Sequence, residues 1–203
     1  MNQFTPVVLG LLISNISLFF LSAVAPGLAT SFALWPLSMP VNSPVSFQVW
    51  QLVTYGFLHA NMSHLFFNMF ALWMFGMQLE ALWGSKPFAL YYFVCLIGAG
   101  LIQIVVETSG YPTVGASGGV FGLLLGFGLM YPNRPIIMIF LPIPIKAKYF
   151  VVLYGLLELW LGVTATRSTV AHFAHLGGMA FGYVLIQYWR GRLPWKPYRR
   201  LNR

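Results

Sequence analysis

Gly115-Ala116-Ser117-Gly118-Gly119-Val120-Phe121-Gly122 sets a serine between glycines at the head of an apolar run that continues to Tyr131. Within the run Gly118, Gly122 and Gly126 recur every fourth residue, so they share one face of a helix and let a neighbouring backbone approach closely. Pro132-Asn133-Arg134-Pro135 ends it. A second small-residue pair with the same spacing, Gly178 and Gly182, lies on the face that also carries His175.

Composition says which solvent these helices meet. The chain of 203 residues is 59% hydrophobic and 7% charged, with a mean hydropathy of +0.77. Soluble domains do not reach these values. The sequence predicts an all-α polytopic membrane protein, a single domain over 1–203 built as a six-transmembrane-helix bundle. The spans are read at about 6–25, 62–80, 88–106, 117–131, 147–163 and 169–189, with a basic tail over 190–203. Ala23-Val24-Ala25 resembles a cleavage site, but no Lys or Arg precedes it and Pro26 would follow the cut, so the first stretch reads as an uncleaved span. Residues 26–60 hold Pro26, Pro36, Pro40 and Pro44 with Trp35 and Trp50, and read as a loop lying in the membrane interface. Residues 136–146, broken by Pro142 and Pro144, read as a loop with an interfacial segment.

The formal charge of +8 does not point to nucleic acid. Arg190, Arg192, Lys196, Arg199, Arg200 and Arg203 carry much of it just past the last apolar stretch, as a cytoplasmic tail beside a membrane does. With Lys86, Arg134, Lys146 and Lys148 they fall on one side of a six-span layout, leaving Arg167 alone on the other. Both termini are therefore expected in the cytoplasm. The expected location is the inner membrane of a bacterial cell. Cys95 is the single cysteine, which excludes a disulfide framework and a thiolate metal site.

Three polar side chains fall at one depth. Counting ~1.5 Å per residue from the inner ends of their spans, Ser117 and His175 lie roughly 21 Å up and His64 roughly 24 Å up. Ionisable groups at such depth are costly unless they face a bundle interior or a wet cavity, so convergence on one site is expected. It also requires residues 107–116 to dip into the membrane as non-helical chain, covered by protein or lining water.

A serine needs a base, and a histidine can serve. A third, orienting carboxylate would need an acid nearby, but the chain has no aspartate and its glutamates are Glu80, Glu107 and Glu158. Glu158 lies within span five and reads as a packing or cavity-lining group, so the expected unit is a Ser117–His175 dyad. His172, three residues earlier and on nearly the same face, cannot be rejected as the base by spacing alone. His64 and Asn68, spaced i, i+4, can both donate to an oxyanion, alongside the free N–H groups where Ser117 opens its helix. His59 is expected to hydrogen-bond within the outer loop. An aspartyl protease is excluded by the lack of aspartate, and no His-Glu-x-x-His zinc motif occurs. Four histidines could form a metal site, but no water-activating Glu sits beside them in sequence; neither metal nor cofactor is expected.

These residues match a pattern. Gly115-Ala116-Ser117-Gly118, His64-Leu65-Phe66-Phe67-Asn68 and Ala174-His175-Leu176-Gly177-Gly178, in this order across Trp50 to Tyr183, resemble the rhomboid intramembrane serine proteases in their six-span bacterial form. The resemblance implies Ser117 as nucleophile and His175 as base, since the family's histidine is followed by glycine at the positions of Gly178 and Gly182. It implies an oxyanion site of His64, Asn68 and the backbone at Gly115 and Ser117. Glu80 resembles the family's structural glutamate, and Phe121 stands where an aromatic stacks on the catalytic imidazole. Trp50-Gln51 departs from the family's frequent Trp-Arg. The implied partners are transmembrane protein substrates and the lipid bilayer. A rhomboid-like binder of membrane helices without proteolytic activity is the alternative; a transporter would show internal repeats or further buried charges, and neither is visible.

Overall fold

The computed structural model describes residues 5–137, 143–164 and 171–201. Six long helices occupy the six expected places. They are α1 (Pro6–Val24), a helix running Met62–Trp83, α6 (Ser85–Val106), α7 (Ser117–Met130), α8 (Ala147–Thr164) and α9 (His172–Trp189). The second is α4 (Met62–Ala71) and α5 (Met77–Trp83) joined through one wider π-helical segment, Leu72–Gly76. Four of the six, all but α7 and α9, are long and apolar enough to cross a membrane by length and composition.

Boundaries differ from the sequence reading where backbone chemistry overrides hydropathy. Gly84, at φ +83°, breaks the chain after Trp83, and α6 starts at once with Pro87 in its first turn, where a missing N–H costs nothing. The last helix begins at His172 behind Ala171; positions 165–170 lie outside the described residues. Residues 26–60 are not plain loop, since they contain α2 (Gly27–Phe32), α3 (Gln51–Thr54) and a 3₁₀ turn, Tyr55–Phe57. Pro135–Ile136 (β1) pairs antiparallel with Ile145–Lys146 (β2) ahead of α8.

The core is α7 wrapped by α6 and α9. From Gly118 to Leu124 every residue of α7 is buried, as a helix apolar on all sides should be. Small residues set the spacing. A Cβ on Gly122 would lie 2.3 Å from Cys95 Sγ, and one on Gly182 would lie 2.9 Å from the same sulfur. Cys95 is thus a wedge between three helices, which accounts for its burial without any chemistry. The outer helices α1 and α8 are far less covered, with 17% of their apolar windows buried against 50% in α6.

Glu80 ties together the starts of α1 and α6. Its carboxylate accepts the backbone N–H groups of Val7 (3.0 Å) and Val8 (2.9 Å) in the first turn of α1, and the Ser85 hydroxyl (2.6 Å) that opens α6. An anion at two helix starts satisfies orphan donors and complements their dipoles. Glu80→Ala is expected to cost about 2–4 kcal/mol, with Glu80→Gln between it and wild type, as read from thermal unfolding in detergent. Unchanged unfolding of both would refute the fastening role.

Candidate active site

The first loop places the serine by holding the non-helical chain before it. Leu34 and Thr113 exchange two backbone hydrogen bonds (3.0 and 2.9 Å), and Gly115 N–H donates to the Tyr55 carbonyl at 2.9 Å. Tyr55 is fixed in turn, its hydroxyl donating to the Leu96 carbonyl at 2.7 Å. Gln51 is buried and does the local fastening: its amide oxygen accepts from Gln48 N (3.1 Å) and Trp35 N (3.3 Å), and its amide nitrogen donates to Ser31 O (3.3 Å). Gly115 has φ +127°, and a Cβ there would sit 2.7 Å from the His64 ring. Only glycine fits both conditions. Its N–H is committed to Tyr55, so among the described residues the backbone donors left without a partner here are those of the first turn of α7.

His175 is the histidine that meets the serine. Its Nε2 lies 2.8 Å from Ser117 Oγ. The approach follows from the glycine faces, because Gly178 and Gly118 touch backbone to backbone with no room for a side chain. Phe121, one turn after the serine, stacks on the His175 ring at 4.0 Å between centroids and 6° between planes. Tyr154 of α8 stacks on the far face of the same phenyl ring at 5.2 Å and 9°.

His64 and Asn68 face this pair from α4. Asn61 caps α4 by accepting His64 N–H at 2.8 Å, and Asn68 spends one amide hydrogen on the His64 carbonyl at 2.9 Å, the other having no partner among the described residues. Ala60 N–H lies 3.5 Å from His64 Nδ1, a long contact that favours the proton on Nε2, the nitrogen beside Gly115. His59 differs from the sequence reading. Its ring packs edge-on against His64 at 5.0 Å, and neither of its nitrogens has a hydrogen-bond partner among the described residues. Burial, helped by the neighbouring His64, pushes its pKa down to about 3, so it stays neutral.

Glu158 is what sequence reasoning left out of the site. Its Oε2 lies 2.9 Å from His175 Nδ1 and 2.6 Å from His172 Nδ1, and all three residues are buried. His172 therefore belongs to the site on the far side of the carboxylate from the serine. The signal available was Tyr154 and Glu158 at i, i+4, two polar groups on one face of the apolar stretch between Phe150 and Val163. Among the described residues, Glu158, His172 and His175 are also the group whose donor atoms, within 4.8 Å of one another, could share a metal ion. Both imidazole Nδ1 atoms point at one oxygen, the geometry of two donors on one acceptor.

The serine and histidine open onto a cavity of about 1230 Å³ that His64 and Asn68 also line. Below them its walls become apolar, with Phe67, Ala71 and Met74 on one side and Phe150 and Tyr154 of α8 on the other. Residues 46–192 match the Rhomboid domain family model.

The chain belongs to the rhomboid family. It is an integral membrane protein of the all-α class that the sequence predicts. Rhomboid protease GluP of Bacillus subtilis is 31% identical over 170 residues, which are 83% of this chain and 32% of that protein. Rhomboid-like protease 3 of Toxoplasma gondii is 31% identical over 144 residues, 71% of this chain and 53% of its own. Rhomboid protease GlpG of Yersinia pestis is 26% identical over 201 residues, 94% of this chain and 65% of its own. This rhomboid chain thus spans between about a third and two thirds of the length of these relatives.

Proposed function

We propose that the protein is an intramembrane serine endopeptidase that cleaves transmembrane helices of other membrane proteins near the outer leaflet, with Ser117 as nucleophile and His175 as its base. The observation that carries the reading is the 2.8 Å contact between Ser117 Oγ and His175 Nε2 at the head of a cavity with apolar lower walls. Named rhomboid proteases among the relatives support it.

In this mechanism Ser117 Oγ attacks the scissile carbonyl as His175 Nε2 takes its proton. Negative charge develops on the carbonyl oxygen where the first-turn N–H groups of α7, His64 Nε2–H and the spare Asn68 amide hydrogen can donate. The C–N bond breaks, His175 returns its proton to the leaving amine, and the N-terminal part of the substrate stays esterified to Ser117. Water, deprotonated by the same nitrogen, then hydrolyses the ester. A substrate helix enters laterally between α4 and α8, where the cavity walls are apolar, and unwinds at the level of the serine. Gly118, Gly178 and Gly182 set the distances, Phe121 holds the imidazole plane, and Glu80 keeps the bundle closed at the inner end. The glycines and prolines around the site suit a mobile cover, which the sequence places at residues 164–170 with span five; beyond Thr164 these positions lie outside the described residues.

The whole chain acts as one rhomboid domain with six spans, in a bacterial inner membrane, with both termini and the basic tail in the cytoplasm. The one-sided distribution of Lys and Arg supports that orientation. A fluorophosphonate tests the central point. The detergent-solubilised protein is expected to acquire one adduct, mapped by peptide mass spectrometry to Ser117. Folded protein with no adduct, or an adduct elsewhere, would leave the helix-binding alternative as the better reading.

A further inference from the structure

We infer that Glu158 is a positioning residue for His175, so that the catalytic unit is a relay of Ser117, His175 and Glu158 drawn from three helices, with His172 holding the carboxylate in place from the other side. The inference rests on the protease reading and deepens it.

The geometry is directional. A carboxylate oxygen can only accept hydrogen bonds, and Glu158 Oε2 has a histidine Nδ1 on either side, at 2.6 and 2.9 Å. Even a protonated Glu158 has one hydrogen to give, so at least one imidazole must donate to it. With the proton of His175 on Nδ1, Nε2 presents a lone pair to Ser117 Oγ at 2.8 Å, the tautomer a general base requires. The opposite tautomer would set an N–H against the hydroxyl and a bare nitrogen against the carboxylate. The stack on Phe121 fixes the ring plane but leaves rotation within that plane open; the Glu158 contact closes that freedom. The carboxylate also faces the imidazolium that forms when His175 takes the serine proton, and in a buried site that attraction is weakly screened. His172 makes the shorter of the two contacts and fixes Glu158, so the oxygen stays aimed at His175.

A packing role alone does not account for this arrangement. Glu158 is the only acidic residue of α8, the rest of that helix is widely exposed, and its one buried charge meets two histidines of α9. A carboxyl group that only packed would need no imidazole on each side.

Two readouts test the inference. In the resting wild type, ¹⁵N spectra of the histidine rings are expected to show His175, assigned by loss of its signals in His175→Ala, protonated on Nδ1. Glu158→Gln is expected to lower kcat on a transmembrane substrate at least ~10²-fold with KM within about three-fold, and to move His175 toward the Nε2–H tautomer. Glu158→Asp, which keeps the charge on a shorter arm, is expected to recover part of the loss. Wild-type His175 protonated on Nε2, or a folded Glu158→Gln enzyme within about three-fold of wild type, overturns the assignment. If Glu158→Gln does not fold, the wild-type tautomer decides. Failure of the protease reading looks different, because no adduct then forms on Ser117 even with His175 in the Nδ1–H form.

Discussion

Ser117→Ala, His175→Ala and the double variant are expected to lose the same activity, about 10⁴–10⁶-fold in kcat, rather than losses that multiply. The serine without its base is a weakly nucleophilic hydroxyl, and the base without the serine has nothing to deprotonate at the carbonyl, so removing either removes the unit. What survives is the contribution of binding and of donors aimed at the oxyanion, which neither substitution touches. On the scale of ~1.4 kcal/mol per factor of ten, the unit supplies about 5–8 kcal/mol of transition-state stabilisation. The measurement is cleavage of a transmembrane reporter in liposomes, with thermal unfolding in parallel, since His175 is buried against Phe121 and its truncation leaves a gap there. His175→Ala within about tenfold of wild type would show that some other group deprotonates Ser117. Single losses that multiply in the double variant would show that the two residues act separately, which a 2.8 Å hydrogen bond between them does not allow.

The parts of this site legible in the sequence are those fixed by position along one helix. Ser117, His64 and His175 each lie within the first four residues of a helix, and counting along α7, α4 and α9 brings them to one level before any packing is known. The parts that were not legible depend on which helix faces which. Glu158 has no partner within its own turn of α8, and hydropathy cannot tell that this face turns to α9 rather than to lipid. The Leu72–Gly76 widening is equally silent, being five residues that any apolar helix could contain. Gln51 shows the same limit in the loop, because its three anchoring bonds reach back as far as Ser31. Sequence alone gives Glu158 a packing or cavity-lining reading, because its contact with His175 Nδ1 joins α8 to α9 across 17 residues of chain.

Gly178→Ala is expected to be the most damaging single-methyl change in the chain, costing about 3 kcal/mol or more in stability and most of the labelling at Ser117. A Cβ at this position would lie 1.9 Å from the Gly118 carbonyl oxygen and 2.8 Å from its carbon. Both are backbone atoms one residue beyond the serine, so no rotamer change can relieve the clash. The helices α7 and α9 must separate by about an ångström or more for a carbon to reach van der Waals distance. His175 is carried on α9 less than one turn before Gly178, and the same displacement would stretch its 2.8 Å contact with Ser117 beyond hydrogen-bonding range. Loss of fold and loss of chemistry thus have one cause, and neither polar residue is altered. Gly155→Ala on α8 is the control: there the added methyl meets only the flexible end of Met179 at 3.4 Å, and the change is expected to stay within about 0.5 kcal/mol. Unfolding in detergent and fluorophosphonate labelling of the two variants separate the cases. A Gly178→Ala protein as stable and as reactive as the Gly155→Ala protein would mean that the two backbones do not touch there, and the close approach that brings the serine to its histidine would need another source.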